Sequence, residues 1–234
     1  MDILKVIDEL KEYLFQTPLK EKIAKIILFG SYAKGVQRKG SDIDILIFTT
    51  NGRDLERKIL EKIHDFMVEK NLPFEVLIDN IDSLYPLRDY FIYNATKNGL
   101  EVYSMEKSKI KMEMTKSLLR LAEEYLESAE EILERGRLRI AIDSAYNSAE
   151  LCAKAFILLR EDDLPGSHGG IVSLFGNLYI KKGEIEKEIG RKLNIALELR
   201  NKARYKPNEI FSKDDALLVI NLAKTLVEAL SRKL

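Results

Sequence analysis

The feature that most constrains this chain is a change of hydrophobic period near residue 106. Before it, short runs rich in β-branched residues alternate with stretches of helical spacing; after it, helical spacing alone remains. That change predicts two units of different class. Residues 1–106 should form an α/β (α+β) unit around a small mixed β-sheet, and residues 110–234 an all-α helical bundle.

In the first unit, Ile3, Val6, Ile7, Leu10 and Leu14 mark one face of a helix over 2–15. Apolar runs over 23–29, 43–50 and 74–78 predict three strands, and Leu55, Ile59, Ile63, Phe66 and Met67 predict a helix over 54–70 between the last two. A helix from about Pro86 to Lys97, stopped at Gly99, and a closing strand over 100–104 complete the unit. In the second unit, one seam runs through Ile110, Met114, Leu118, Leu121, Tyr125 and Ile132, and another through Ile142, Ala145, Ala149, Cys152, Phe156 and Leu159. A final stripe joins Leu217, Ile220, Leu226, Val227 and Leu230. The loop at 164–170 and the breaks near Gly183 and Pro207 divide this region into four or five helices.

Charge gives no direction: 38 basic residues balance 38 acidic ones, which removes any global pull toward nucleic acid or an anionic membrane. No apolar run approaches membrane-spanning length, and the opening MDILKVIDELKEYL reads as an amphipathic helix and not a signal peptide. The single Cys152 has no internal disulfide partner, so a reduced, cytoplasmic setting without membrane attachment is expected.

The densest chemistry lies in LFGSYAKGVQRKGSDIDILIF, residues 28–48. Strand alternation turns Asp42 and Asp44 to one side while Ile43 and Ile45 enter the core. Their Cα atoms would stand about 6.5–7 Å apart. Two anions so close repel, and one takes up a proton unless a cation compensates. Hard carboxylate oxygens with no Cys or His beside them suit Mg²⁺ or Mn²⁺ and not Zn²⁺. The bland alternative, a pair that merely tethers the loop before a strand, is the usual meaning of an isolated Asp-x-Asp. Upstream, Gly30 and Ser31 close a strand and open a short helix, where glycine allows close approach to a phosphate and Ser31 adds a hydroxyl. Gly30 to Gly35 fits G-x-x-x-x-G, but Val36 and Gln37 follow where a P-loop needs Lys and Ser/Thr, so that motif fails.

Gly-Ser, ten residues, then Asp-x-Asp, each at a strand end, closely resembles the DNA polymerase β-like nucleotidyltransferases, especially their minimal branch, over residues 1–105. The resemblance implies a sheet holding a metal–nucleoside triphosphate complex. Asp42 and Asp44 would bind one or two Mg²⁺ (or Mn²⁺) ions, while Gly30 and Ser31 hold the β/γ end of the triphosphate. Lys34 is a candidate to neutralise phosphate charge, and Arg38 and Lys39 fit a solvated loop equally well. The family also carries a third carboxylate on a neighbouring strand, commonly Asp. Glu75 is the candidate here, with Asp79 as the alternative; either could instead be a solvated acid.

Residues 110–230 resemble the HEPN helical bundles, through AIDSAYNSAELCAKAFILL, SHGGIVSLFGNLYIKKGEI and RKLNIALELRNKARY. Many HEPN domains are ribonucleases that place His four to six residues after Arg. Arg200 and Asn201 fit the opening, but Tyr205 stands where that imidazole belongs, which argues against RNA cleavage. Arg200 lies in an apolar seam and needs a partner, an interhelical or dimer-interface ion pair being the simplest. His168 suits a capping or packing role, and His64 a surface position. Together the resemblances imply an enzyme that transfers a nucleoside monophosphate, AMP from ATP, to a hydroxyl. The acceptor suggested is a protein tyrosine in a toxin–antitoxin setting, with Tyr205 as a self-modification candidate or a residue packing a helix end. A small molecule of the antibiotic type, and a non-catalytic nucleotide- or RNA-binding module with a degenerate HEPN half, stay open. A homodimer through the bundle is expected by resemblance.

Overall fold

The computed structural model describes residues 2–50, 53–84 and 89–234 and divides into two compact units, Met1–Ile110 and Lys111–Leu234. The first contains α1 (Ile3–Phe15), β1 (Ile23–Leu28), α2 (Gly30–Ala33), β2 (Ile43–Thr49), α3 (Arg53–Lys70), β3 (Phe74–Asn80), α4 (Tyr90–Asn98) and β4 (Leu100–Ser104). Asp2 and Asp89 cap α1 and α4 by accepting from the Lys5 and Ile92 amides. The expected helix start at Pro86 lies outside the described residues; α4 runs from Tyr90.

The sheet order is β3-β2-β1-β4, with β1 antiparallel to both β2 and β4, and β2 parallel to β3. The helix α3 supplies the crossover that a parallel β2–β3 pair requires. Strand β2 sits inside the sheet, and Ile43, Ile45, Leu46, Ile47 and Phe48 are all buried. That explains a run of apolar residues in place of alternation. Ile7, Leu10 and Leu14 of α1 and Ile59, Ile63 and Phe66 of α3 complete this core. Truncating one such side chain, Ile45→Ala for example, costs about 2–5 kcal/mol.

Gly99 ends α4 for a reason other than a left-handed turn: its φ is −83°. A Cβ there would stand 2.8 Å from the Leu28 carbonyl and collide with Ala95 and Ile27, so glycine lets the turn between α4 and β4 press onto β1.

The second unit is helical: α5 (Lys107–Glu134, which begins in the first unit), α6 (Leu138–Leu158), α7 (His168–Phe175), α8 (Lys187–Tyr205) and α9 (Lys213–Ser231). A π-helical turn over Gly176–Ile180 extends α7, and Ser212 with Asp215 forms a capping box on α9. The seam of α5 departs from expectation. Leu121 and Tyr125 are about 40% exposed, at 41% and 38%, whereas Ala122 and Ala129 are fully buried. The reason is close approach of backbones. Ser144 and Ser148 of α6 donate hydroxyl hydrogen bonds to the Tyr125 and Ala122 carbonyls at 2.9 and 2.7 Å, which small residues on α5 permit.

Candidate functional site

Asp42 precedes β2, and Asp44 is its second residue. The parallel register sets Asp44 directly beside Glu75 of β3, while Asp79 pairs with Phe48, four positions farther along. Paired residues of neighbouring strands point to one face, so β2 and β3 bring two of the three candidate carboxylates together. Asp79 is engaged elsewhere: its carboxylate accepts the Asn80 amide at 2.7 Å.

Gly30, which opens α2 just after β1, closes the same site. It has a φ of +67°, and a Cβ at this position would land on the Asp44 carboxylate. Glycine is therefore required twice, for the left-handed backbone and for the space. The Phe29 amide donates to the Asp44 carbonyl at 2.9 Å, holding the β1 end against β2. Burial pushes the Asp44 carboxyl above its ordinary range; the Glu75 charge adds to this, the Ser31 backbone amide opposes it by donating to the carboxylate, and Asp42 adds further. Lys34, at the C-terminal end of α2, is exposed.

The donor set is all oxygen, and an anion held among anions is the electrostatic condition a divalent cation relieves. In this respect Asp42, Asp44 and Glu75 fit a hard metal ion. Among the described residues, no group of three or more His, Cys, Asp or Glu is arranged to hold such an ion by itself.

The helical unit organises its charges differently. Arg200 is buried and lies 3.6 Å from Asp143 of α6 through Nε, which finds no hydrogen-bond acceptor; its Nη1 donates to Asn201 at 3.1 Å. Asp143 instead accepts two hydrogen bonds from Arg204, at 2.6 and 3.0 Å. The interhelical pairing expected for Arg200 is present, but Arg204 takes the better geometry. Tyr205 ends α8 and is 67% exposed.

His168 has a partner that the sequence does not reveal. Its Nδ1 meets the buried Glu150 of α6, which also accepts from Lys154 at 3.1 Å and from the Tyr146 hydroxyl at 3.3 Å. Ser167, not His168, caps α7. Burial works against the Glu150 charge, but the His168 hydrogen bond and Lys154 outweigh it and hold the carboxyl below its usual value. Burial and then the Glu150 charge push the Tyr146 hydroxyl well above its usual range. The available signal was Glu150 itself, a charge on the α6 face that carries Tyr146, Ala149 and Ala153.

Comparison with known proteins agrees with both units. The nucleotidyltransferase domain family matches residues 7–117, and the HEPN domain family matches residues 115–234. A Methanocaldococcus jannaschii protein, provisionally named a protein adenylyltransferase, is 34% identical over 102 residues, covering 44% of this chain and 100% of that one. A second, with the same provisional name and from the same organism, is 33% identical over 81 residues, covering 35% of this chain and 84% of that one. A third, provisionally named a toxin, is 31% identical over 99 residues, covering 41% of this chain and 70% of that one. Among the described residues no helix is long and apolar enough to cross a membrane. With its Gly-Ser turn facing an acidic pair across β1 and β2, and a helical bundle behind it in sequence, the chain belongs to the nucleotidyltransferases: a DNA polymerase β-like minimal nucleotidyltransferase domain followed by a HEPN domain.

Proposed function

We propose that this enzyme transfers AMP from ATP to a protein hydroxyl, tyrosine being the acceptor side chain, in a toxin–antitoxin setting. The observation that carries the proposal is Asp44, its charge disfavoured between Glu75 and Asp42 and its carboxylate pressed against Gly30. The names of the relatives support AMP and a protein acceptor, and one of those names supports the toxin context.

Asp42, Asp44 and Glu75 would hold Mg²⁺ (or Mn²⁺), which nucleotidyltransferases generally use, and the ion would supply positive charge to the triphosphate. Gly30 and Ser31 form the turn that receives the β/γ end, and Lys34 adds a cation there. The acceptor oxygen attacks the α-phosphorus, and the bond from that phosphorus to the bridging oxygen breaks. Pyrophosphate leaves, and the hydroxyl proton passes to the Glu75 carboxylate. A homodimer in the cytoplasm completes the proposal. The helical unit is assigned no reaction of its own, because Arg200 is buried and the His168 Nδ1 is engaged by Glu150. Tyr205 is exposed enough to serve as an acceptor in its own chain.

The test is incubation with Mg²⁺ and ATP labelled at the α- or the γ-phosphate, for the wild type and Asp42→Asn/Asp44→Asn. Label retained from the α position alone, and lost in the variant, supports nucleotidyl transfer. Retention of γ label would sink it, and ATP binding without transfer to any acceptor would indicate a binding module. Intact mass reads an AMP adduct on the chain directly.

A further inference from the structure

We infer that the acceptor is an extended protein segment that adds to the outer edge of β3 as a fifth strand, bringing its hydroxyl residue opposite Glu75. The inference rests on the protein-acceptor proposal above and concerns how that acceptor is recognised.

Strand β3 is one outer edge of the sheet, and β4 is the other. The two edges differ. The pairing of β4 with β1 slips between Ile26 and Ile27, and Lys25 of β1 clamps Glu101 of β4 at 2.6 Å. The β3–β2 pairing runs in unbroken register from Phe74 to Asn80. A long, regular edge without a bulge, proline or lysine is the form that templates another strand, and proteins usually blunt it. The inward bonds identify which groups remain. The Ile43 amide donates to the Pro73 carbonyl at 2.9 Å while Ile43 pairs with Phe74. In a parallel ladder that phase directs residues 75, 77 and 79 toward β2, and turns the amides and carbonyls of Phe74, Val76 and Ile78 outward. Among the described residues none of these outward backbone groups has a backbone partner outside the sheet.

The same edge leads to the chemistry. A residue opposite Glu75 in an added strand would face the side shared by Glu75 and Asp44. Strands lie about 4.8 Å apart, so a long side chain such as tyrosine reaches back toward Asp44, whereas serine falls short. Leu77, 37% exposed, offers an apolar contact two residues away on that face. Glu75, Leu77 and Asp79 share that face, so the matching segment presents, at every second residue, its hydroxyl residue, an apolar residue and a lysine or arginine.

The test compares two acceptors: a short extended peptide that presents tyrosine, valine and lysine at successive positions of one face, and N-acetyl-tyrosine amide. The key variant is Val76→Pro, which removes an outward amide but none of the bonds to β2. The wild type should use the peptide with a kcat/KM about tenfold or more above the amide. Val76→Pro should lose that preference while binding ATP and modifying the amide as before. Equal use of both acceptors by the wild type, or an unchanged preference in Val76→Pro, overturns strand addition and leaves nucleotidyl transfer standing. Transfer to neither acceptor counts against the proposed reaction, and hydrogen exchange then decides the docking. Slowed exchange at Val76 and Ile78 when peptide is added supports it, and unchanged exchange overturns it.

Discussion

Two carboxylates, Asp44 and Glu150, meet burial in opposite ways. Asp44 is flanked by Glu75 and Asp42, and its carboxyl rises above the ordinary value. Glu150 is more deeply buried, yet His168 and Lys154 bring its carboxyl below the ordinary value. The helical unit therefore resolves the Glu150 charge internally, as a structural element does. The nucleotidyltransferase unit leaves its charge unresolved, which is the state that a cationic ligand completes.

The sharpest test of this contrast is Asp44→Asn. It should lower nucleotidyl transfer by about a thousandfold or more while leaving the melting temperature unchanged or raised, since it removes repulsion along with function. A transfer rate near wild type, or a cooperative loss of stability, would make Asp44 structural and erase the comparison. Gly30→Ala comes next. Its Cβ displaces the Asp44 carboxylate, and misplacement of that size should cost about a hundredfold in kcat. Glu150→Ala should leave transfer largely intact and destabilise the helical unit by about 1–3 kcal/mol in urea denaturation, since it strands the Tyr146 hydroxyl.

Acid should separate the two sites by sign. The folded-state value of Glu150 lies below its ordinary 4.5, so Glu150 contributes stability above 4.5, and that contribution is lost as pH falls toward the folded-state value. The folded-state value of Asp44 lies above its ordinary 3.8, so ionised Asp44 weakens its unit at neutral pH, and acidification through the raised value relieves it. Glu150→Gln should flatten the acid loss of the helical unit, and Asp44→Asn should remove the acid gain of the other, both read by chemical denaturation across pH. The smallest effect concerns Cys152. Burial pushes its thiol up to about 12, so native protein at neutral pH should react with thiol reagents only as fast as the unit opens.

The alternation of short β-branched runs with helical spacing located the four strands among the described residues, and Asp-x-Asp after Gly-Ser marks the candidate site. Where the structure departs from the sequence pattern, backbone proximity is the cause. Leu121 and Tyr125 carry the apolar signal on α5, yet Ala122 and Ala129 are buried, because Ser144 and Ser148 draw α6 close against small residues. Gly99 stops α4 as its position predicts, and it also admits the Leu28 carbonyl, a contact that the sequence does not show.

The amino-acid order by itself determined the period of each segment and the chemical type of the candidate site, because side-chain alternation and hard-oxygen donors are local properties. Only the tertiary structure decided that Glu75 and not Asp79 stands beside Asp44, since strand register is a long-range pairing. It alone brought His168 to Glu150 across 18 residues, and it alone put β3 at an outer edge of the sheet beside Asp44. Those relations depend on which backbones approach one another, a property that no single segment of sequence contains.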